Sequence, residues 1–178
     1  MEKIKLRINP LDWLIAAPNG CSKARASEIL ATFSSPPHVY KFTGPGELLR
    51  GTGTDSTGKQ AFAYGGGYWV DGSVISQIDA NLSQYTGWLS AKELQQSARA
   101  KYRAGSAVCE DWNDFSQFHK MKIPTGETFE GLAGAIKSQP IRSKMNKNDP
   151  KTPMLMGGFE QVYLKVRNPF WIYEAAPL

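Results

Sequence analysis

Gln161 has the setting in which a neutral side chain does chemistry, a single amide inside an otherwise apolar strand. It stands in Gly157-Gly158-Phe159-Glu160-Gln161-Val162-Tyr163-Leu164. Strand alternation puts Phe159, Gln161 and Tyr163 on one face and Glu160, Val162 and Leu164 on the other, so the amide sits between aromatic rings where a small ligand can rest on it. The two glycines allow a close backbone approach and dihedrals closed to other residues. An ordinary edge strand that begins at a glycine turn reads the same way. His38 and His119, with a lysine, are the residue types for acid and base in metal-independent RNA cleavage, which suits a net charge of +5. Cys109 is a nucleophile only if His119 is near, and otherwise a packed thiol. Two histidines and no His-Glu-x-x-His spacing set metal chemistry aside.

These residues belong to a 178-residue chain with 41% hydrophobic and 21% charged residues, enough for one globular domain with a real core. No apolar run approaches the ~20 residues of a membrane span, and the start is too interrupted for a secretion signal, so a soluble chain is expected. Cys21 and Cys109 are too few for a disulfide framework, and the default is a reduced pair. The positive charge attracts an anion: nucleic acid, an anionic lipid surface or a phosphorylated small molecule. Its residues cluster at Lys92, Arg99, Lys101 and Arg103, read as the solvated face of a helix, and at Lys137, Arg142, Lys144, Lys147 and Lys151. The second cluster lies in a Pro-, Asn- and Ser-rich stretch, a mobile loop of the length that often serves as a lid.

Helical spacing of Ala26, Ile29, Leu30 and Phe33 predicts a helix over 22–33 with Ser22 as cap. Pro36 and Pro37 stop it, and alternation then gives a strand over His38–Thr43. A second strand holds Leu48, Leu49, Arg50 and Gly51. The segment 61–64 leads through Gly65, Gly66 and Gly67 into another aromatic strand, Tyr68-Trp69-Val70. Asp71 caps a helix over 73–82 whose stripe is Val74, Ile75, Ile78 and Leu82, with Gln77 off the stripe. Ser90 and Glu93 form a capping box for a helix to Ala104, ended by Gly105. Strands follow over 115–123, 161–167 and 170–173. Helices segregated from strands point to an α+β domain with antiparallel sheet, and no Rossmann or Walker loop is present.

Four segments, in order, carry a family likeness: Leu48-Leu49-Arg50-Gly51; Gly67-Tyr68-Trp69-Val70 followed by Ser76-Gln77-Ile78-Asp79; Lys122-Ile123-Pro124-Thr125-Gly126 with Glu130-Gly131; and the glycine-opened strand through Tyr163. Together, over residues 46–173, they resemble the ADP-ribosyltransferase-like toxin domains at the C-termini of bacterial polymorphic toxins, a group that includes NAD-glycohydrolase toxins. Residues 1–45 lie outside the resemblance and form an N-terminal lead-in with a short helix and first strand; residues 46–178 form the catalytic domain.

The resemblance implies a split antiparallel sheet flanked by helices, with NAD in the cleft between the halves. NAD is then a substrate and no cofactor or metal is needed. Arg50 takes the place of the family's phosphate-binding arginine, for which a guanidinium offers a bidentate, permanently charged fork; Lys41 is its rival. Tyr68 and Trp69 wall the nicotinamide, although Val70 departs from the family's Ser-Thr-Ser and Trp-Thr versions of that strand. Gly51, Gln77, Gly157, Gly158 and Phe159 complete the NAD-binding set. Gln161 occupies the position of the transferases' catalytic glutamate, where a side-chain carbonyl accepts from a ribose hydroxyl as positive charge develops. Phe159, two residues earlier, cannot take a proton from an acceptor, which favours water. The implied activity is NAD glycohydrolase, the alternatives being ADP-ribosyl transfer to a protein or nucleic acid, or a basic RNA-binding or RNA-cleaving domain. A cognate immunity protein is the implied partner, and a secreted or injected effector acting in a target-cell cytoplasm the implied setting.

Overall fold

A computed structural model of the protein describes residues 1–59, 67–110, 112, 114–166, 168 and 171–176, the last five of these as backbone. The segment 61–64 with Gly65 and Gly66, together with Arg167 and Phe170, lies outside the described residues.

Local signals set most element ends. The lead-in starts with strand β1 (Glu2–Lys5) and helix α1 (Pro10–Ile15), where the Asn9 side-chain oxygen accepts from the N–H groups of Leu11 and Asp12 and Pro10 opens the first turn. Helix α2 (Lys23–Leu30) has the expected cap, Ser22 Oγ accepting from Arg25 N at 3.2 Å. Strands β2 (His38–Thr43), β3 (Gly46–Thr52) and β4 (Tyr68–Asp71) follow. In helix α3 (Ser73–Ser83), Asp71 accepts from Ser73 N at 2.9 Å although Gly72 holds the cap position. Helix α4 (Ala91–Ser106) has the full Ser90–Glu93 capping box. Then come β5 (Gln117–Ile123), β6 (Thr128–Ala135), the short β7 (Gln139–Pro140) and β8 (Met154–Leu155), β9 (Glu160–Tyr163) and β10 (Ile172–Ala176).

The architecture is α+β. Among the described residues, eight strands form one antiparallel sheet in the order β1-β2-β6-β9-β4-β3-β5-β10, and β7 and β8 pair separately across the lysine-rich stretch. Both lead-in strands belong to the large sheet, β2 pairing with β6 over six residue pairs. Strand β9 is no edge: it pairs with β4 on one side and β6 on the other, so glycine entry here marks an interior strand. The β3–β4 ladder is two pairs long, Leu48↔Asp71 and Leu49↔Val70, against seven pairs for β3–β5.

Register identifies the faces, because directly opposed residues point the same way. Leu49, Val70 and Gln161 share one face, Leu49 and Val70 packing with Val74, Ile78, Ala98 and Tyr102 of α3 and α4. Tyr163 and Leu132 continue that face beneath Trp13, Leu14, Ala26 and Ile29 of α1 and α2. Both helical pairs therefore cover the same side of the sheet, one over each half. The opposite side is closed by aromatics: Trp69, Leu48, Met121 and Val162 are buried with Phe42, which stacks on Phe129 at 4.9 Å, and Phe129 meets Trp171 edge-on at 5.0 Å.

Three sequence expectations change. The last helix does not stop at Gly105; it runs to Ser106 and ends at Ala107, which takes the left-handed conformation with φ 47°. Gly105 is a packing residue, since a Cβ there would overlap the Phe159 ring. Gly105→Ala is expected to lower stability by about 1–3 kcal/mol through overpacking, the reverse of the ~1 kcal/mol gain that alanine usually brings to a helix interior; urea denaturation reads the sign. The strand placed over 115–123 begins at Gln117, because Phe115 has φ 53° and turns inward. The strands expected over 161–167 and 170–173 are Glu160–Tyr163 and Ile172–Ala176.

Candidate functional site

A cavity of about 330 Å³ lies where β3 and β4 part, lined on the helical side by Thr32, just after α2, and by Tyr102 and Ser106 of α4. Gly51, Tyr68, Val70 and Gln161 line it from the helical face, together with Thr32, Tyr102, Ser106 and Trp112; Arg50 and Trp69 also border it, although strand alternation places Arg50 with Leu48, and Trp69 with Val162, on the opposite face of the sheet. The short β3–β4 ladder accounts for the opening: among the described residues it ends at Leu49↔Val70, and the next residues toward the cavity are Arg50 and Gly51 on one strand and Trp69 and Tyr68 on the other.

Gln161 is buried, 7% exposed, in the middle of the sheet. Its Nε2 donates to Thr32 Oγ1 at 2.9 Å, and Thr32 Oγ1 donates in turn to the Ile29 carbonyl at 2.7 Å. The amide oxygen has no hydrogen-bond partner among the described residues. Glu160, its neighbour, points away and pairs with Lys3. Tyr68 meets Tyr163 edge-on at 5.0 Å, and burial raises its phenol above the ordinary value.

Arg50 is the one charged side chain among the described residues that line the cavity. In register it faces His119, and its charge reaches both that imidazole and the Tyr102 hydroxyl. Burial first, and the Arg50 charge second, hold His119 below the ordinary histidine value. Tyr102 projects from α4 into the cavity wall, where its hydroxyl accepts from Gly51 N at 3.3 Å. Burial pushes that phenol far up, with the Gly51 N–H and Arg50 opposing, so the hydroxyl stays protonated. Gly51 is required by space: a Cβ would overlap the Phe115 ring.

The remaining sequence candidates lie elsewhere. Gln77 is exposed on α3 and outside the cavity lining. Gly157 and Gly158, with φ 71° and 98°, are in the left-handed region, but their N–H groups go to Ala104 O at 2.8 Å and Ile136 O at 3.0 Å. They anchor β9 to the end of α4 and to β6, and offer no donor to a ligand. Phe159 packs on Tyr102 and Gly105 behind the cavity wall. Lys41 is exposed on β2, opposite Glu130, away from the cavity.

Arg103 is not a solvated cation. Its Nη1 donates to the carbonyls of Val108 and Cys109, both at 3.2 Å, and it lies 4.6 Å over the Phe115 ring, so burial lowers its pKa while it closes the end of α4. Cys109 is buried and donates to Pro140 O at 3.1 Å, and it forms no disulfide with Cys21. Among the described residues there is no group of three or more His, Cys, Asp or Glu side chains able to hold a metal, and no helix is long and apolar enough to cross a membrane.

Sequence reading missed Thr32, Tyr102, Ser106 and Trp112. Tyr102 lies on the apolar stripe of α4, where it looks like core; the signal that it faces a ligand is its hydroxyl, and only the tertiary contact with Gly51 brings that out. Thr32 carries no sequence signal.

Chemically, the described lining offers one permanent cation, Arg50, two glutamine amides, Gln139 and Gln161, two phenols, Tyr68 and Tyr102, and an apolar aromatic wall. Such groups are of the kind that suit an anionic, ring-bearing ligand, and among the described lining residues there is no carboxylate or imidazole to act as a strong base. No family model, curated protein or solved structure matches the chain.

Proposed function

We propose that this domain consumes NAD, cleaving it to nicotinamide and ADP-ribose. The observation that carries this reading is the convergence of Arg50 and Gln161, from strands β3 and β9, with Tyr68 and Trp69 on one cavity. In the proposed complex the pyrophosphate lies on Arg50 where β3 and β4 part, the nicotinamide ring against Tyr68, and the ribose under the Gln161 oxygen. The bond between ribose C1′ and the ring nitrogen breaks with its electron pair leaving on nicotinamide. Positive charge spreads over C1′ and the ring oxygen, and Gln161 favours it by accepting from a ribose hydroxyl. Water then adds at C1′ and releases one proton.

Hydrolysis is preferred over transfer because the described lining residues include no acid or base to activate a macromolecular nucleophile. Phe159, once the argument for water, is set behind the wall and does not bear on the acceptor. A toxin of the polymorphic kind, held inactive by a cognate immunity protein and acting in a target-cell cytoplasm, is part of the same proposal. So is the finer, ADP-ribosyltransferase-like assignment of the sheet. The RNA-cleaving alternative needs two cooperating histidines; His38 on β2 and His119 on β5 stand five strand positions apart in the sheet, roughly 24 Å at the usual spacing.

Incubating pure protein with NAD is expected to yield nicotinamide and free ADP-ribose in equal amounts by chromatography. Label from NAD appearing on protein or nucleic acid selects transfer instead. A folded protein that produces neither overturns the proposal.

A further inference from the structure

The lead-in segment outside the family resemblance reaches the candidate centre through one side chain. Thr32 follows α2 and is held on three sides: its N–H and hydroxyl both meet the Ile29 carbonyl, at 3.1 and 2.7 Å, and its own carbonyl accepts from Lys137 N at 2.9 Å. We propose that Thr32 is a positioning residue that fixes which end of the Gln161 amide faces the cavity. This rests on the NAD reading given above.

The count of hydroxyl hydrogens fixes the orientation of the amide. A glutamine amide presents a carbonyl on one side and an NH₂ on the other, and a half-turn exchanges them at nearly constant shape. For the proposed chemistry the two orientations are opposites: the oxygen stabilises a developing cation, the NH₂ repels it. A threonine hydroxyl has one hydrogen, and that of Thr32 goes to the Ile29 carbonyl. Toward Gln161 the hydroxyl oxygen can therefore only accept, which obliges Gln161 to turn its NH₂ to Thr32 and its oxygen to the other side. The Ile29 carbonyl, two links away, dictates the polarity of the amide. The Tyr68 hydroxyl lies beside the same threonine, so one wall of the cavity is organised around it.

Thr32→Val keeps the shape and removes the hydroxyl; Thr32→Ser restores it. For NAD cleavage, Thr32→Val is expected to lower kcat about 10- to 100-fold with KM changed less than about threefold, and Thr32→Ser to stay within about threefold of the parent in both. A second readout needs no NAD. In ¹⁵N-labelled protein the Gln161 NH₂ pair, identified by its loss in Gln161→Ala, should be protected from solvent exchange in the parent and in Thr32→Ser, and lose protection in Thr32→Val. Absence of protection in the parent, or protection and kcat both unmoved in Thr32→Val, overturns the proposal. If the amide responds as expected but the parent cleaves no NAD, the positioning stands and it is the NAD reading that falls.

Discussion

Gln161→Ala is expected to lower kcat for NAD cleavage by about 100- to 1000-fold, the range seen when one preorganised polar group aimed at developing charge is removed. KM should change little, because the group acts on charge that appears only in the transition state. The side chain is buried and its NH₂ is bonded to Thr32, so the variant also loses one internal hydrogen bond, costing about 1 kcal/mol. That is too little to unfold an ordinary domain, and a small shift in melting temperature beside a large loss of kcat separates the chemical role from a structural one. Equal loss in kcat and in folded fraction would count against the assignment.

Arg50→Ala should have the other large effect, in the opposite parameter. A charge-assisted contact to phosphate is worth about 1.5–3 kcal/mol, or about a 10- to 150-fold rise in KM, with kcat less affected. Arg50→Lys should recover only part, since an ammonium lacks the planar fork. An internal control comes from His119. Its pKa is lowered by burial first and by the Arg50 charge second, so Arg50→Ala should raise it while leaving it below the usual 6.5. The sign for stability follows: a histidine with depressed folded pKa favours the fold fully above its unfolded value, and that contribution is lost as pH falls below about 6.5 toward the folded pKa. Arg50→Ala should narrow that acid-side loss. Proton NMR titration of His119 in the parent and in Arg50→Ala measures the shift.

Legibility in the sequence followed the range of each signal. Caps are local, so Ser22 and the Ser90–Glu93 box are read correctly from neighbouring residues. Alternation is local as well, and His38–Thr43 is the strand it predicts. Gly105 misleads because a glycine near a helix end has two explanations, a left-handed cap or a close neighbour; the neighbour, Phe159, comes from a distant strand. Gly157 and Gly158 mark close backbone approach, but what they approach is Ala104 and Ile136 of the same chain. Arg50, Tyr68, Trp69 and Gln161 stand out by type and motif, while Thr32 and Tyr102 owe their importance to single tertiary hydrogen bonds that no spacing encodes. Gln77 shows the limit of an off-stripe argument: leaving the apolar stripe put it in solvent rather than in a site.

The brevity of the β3–β4 ladder has a mechanical consequence. Two residue pairs join a leaf of five strands, carrying Gln161, to a leaf of three, carrying Arg50. The cation and the amide thus ride on opposite sides of the narrowest hinge in the sheet. A ligand that touches both acts as a clasp across that hinge, so its binding energy is delivered where the fold is least cross-linked, and occupancy should tighten the whole domain and not merely its cavity.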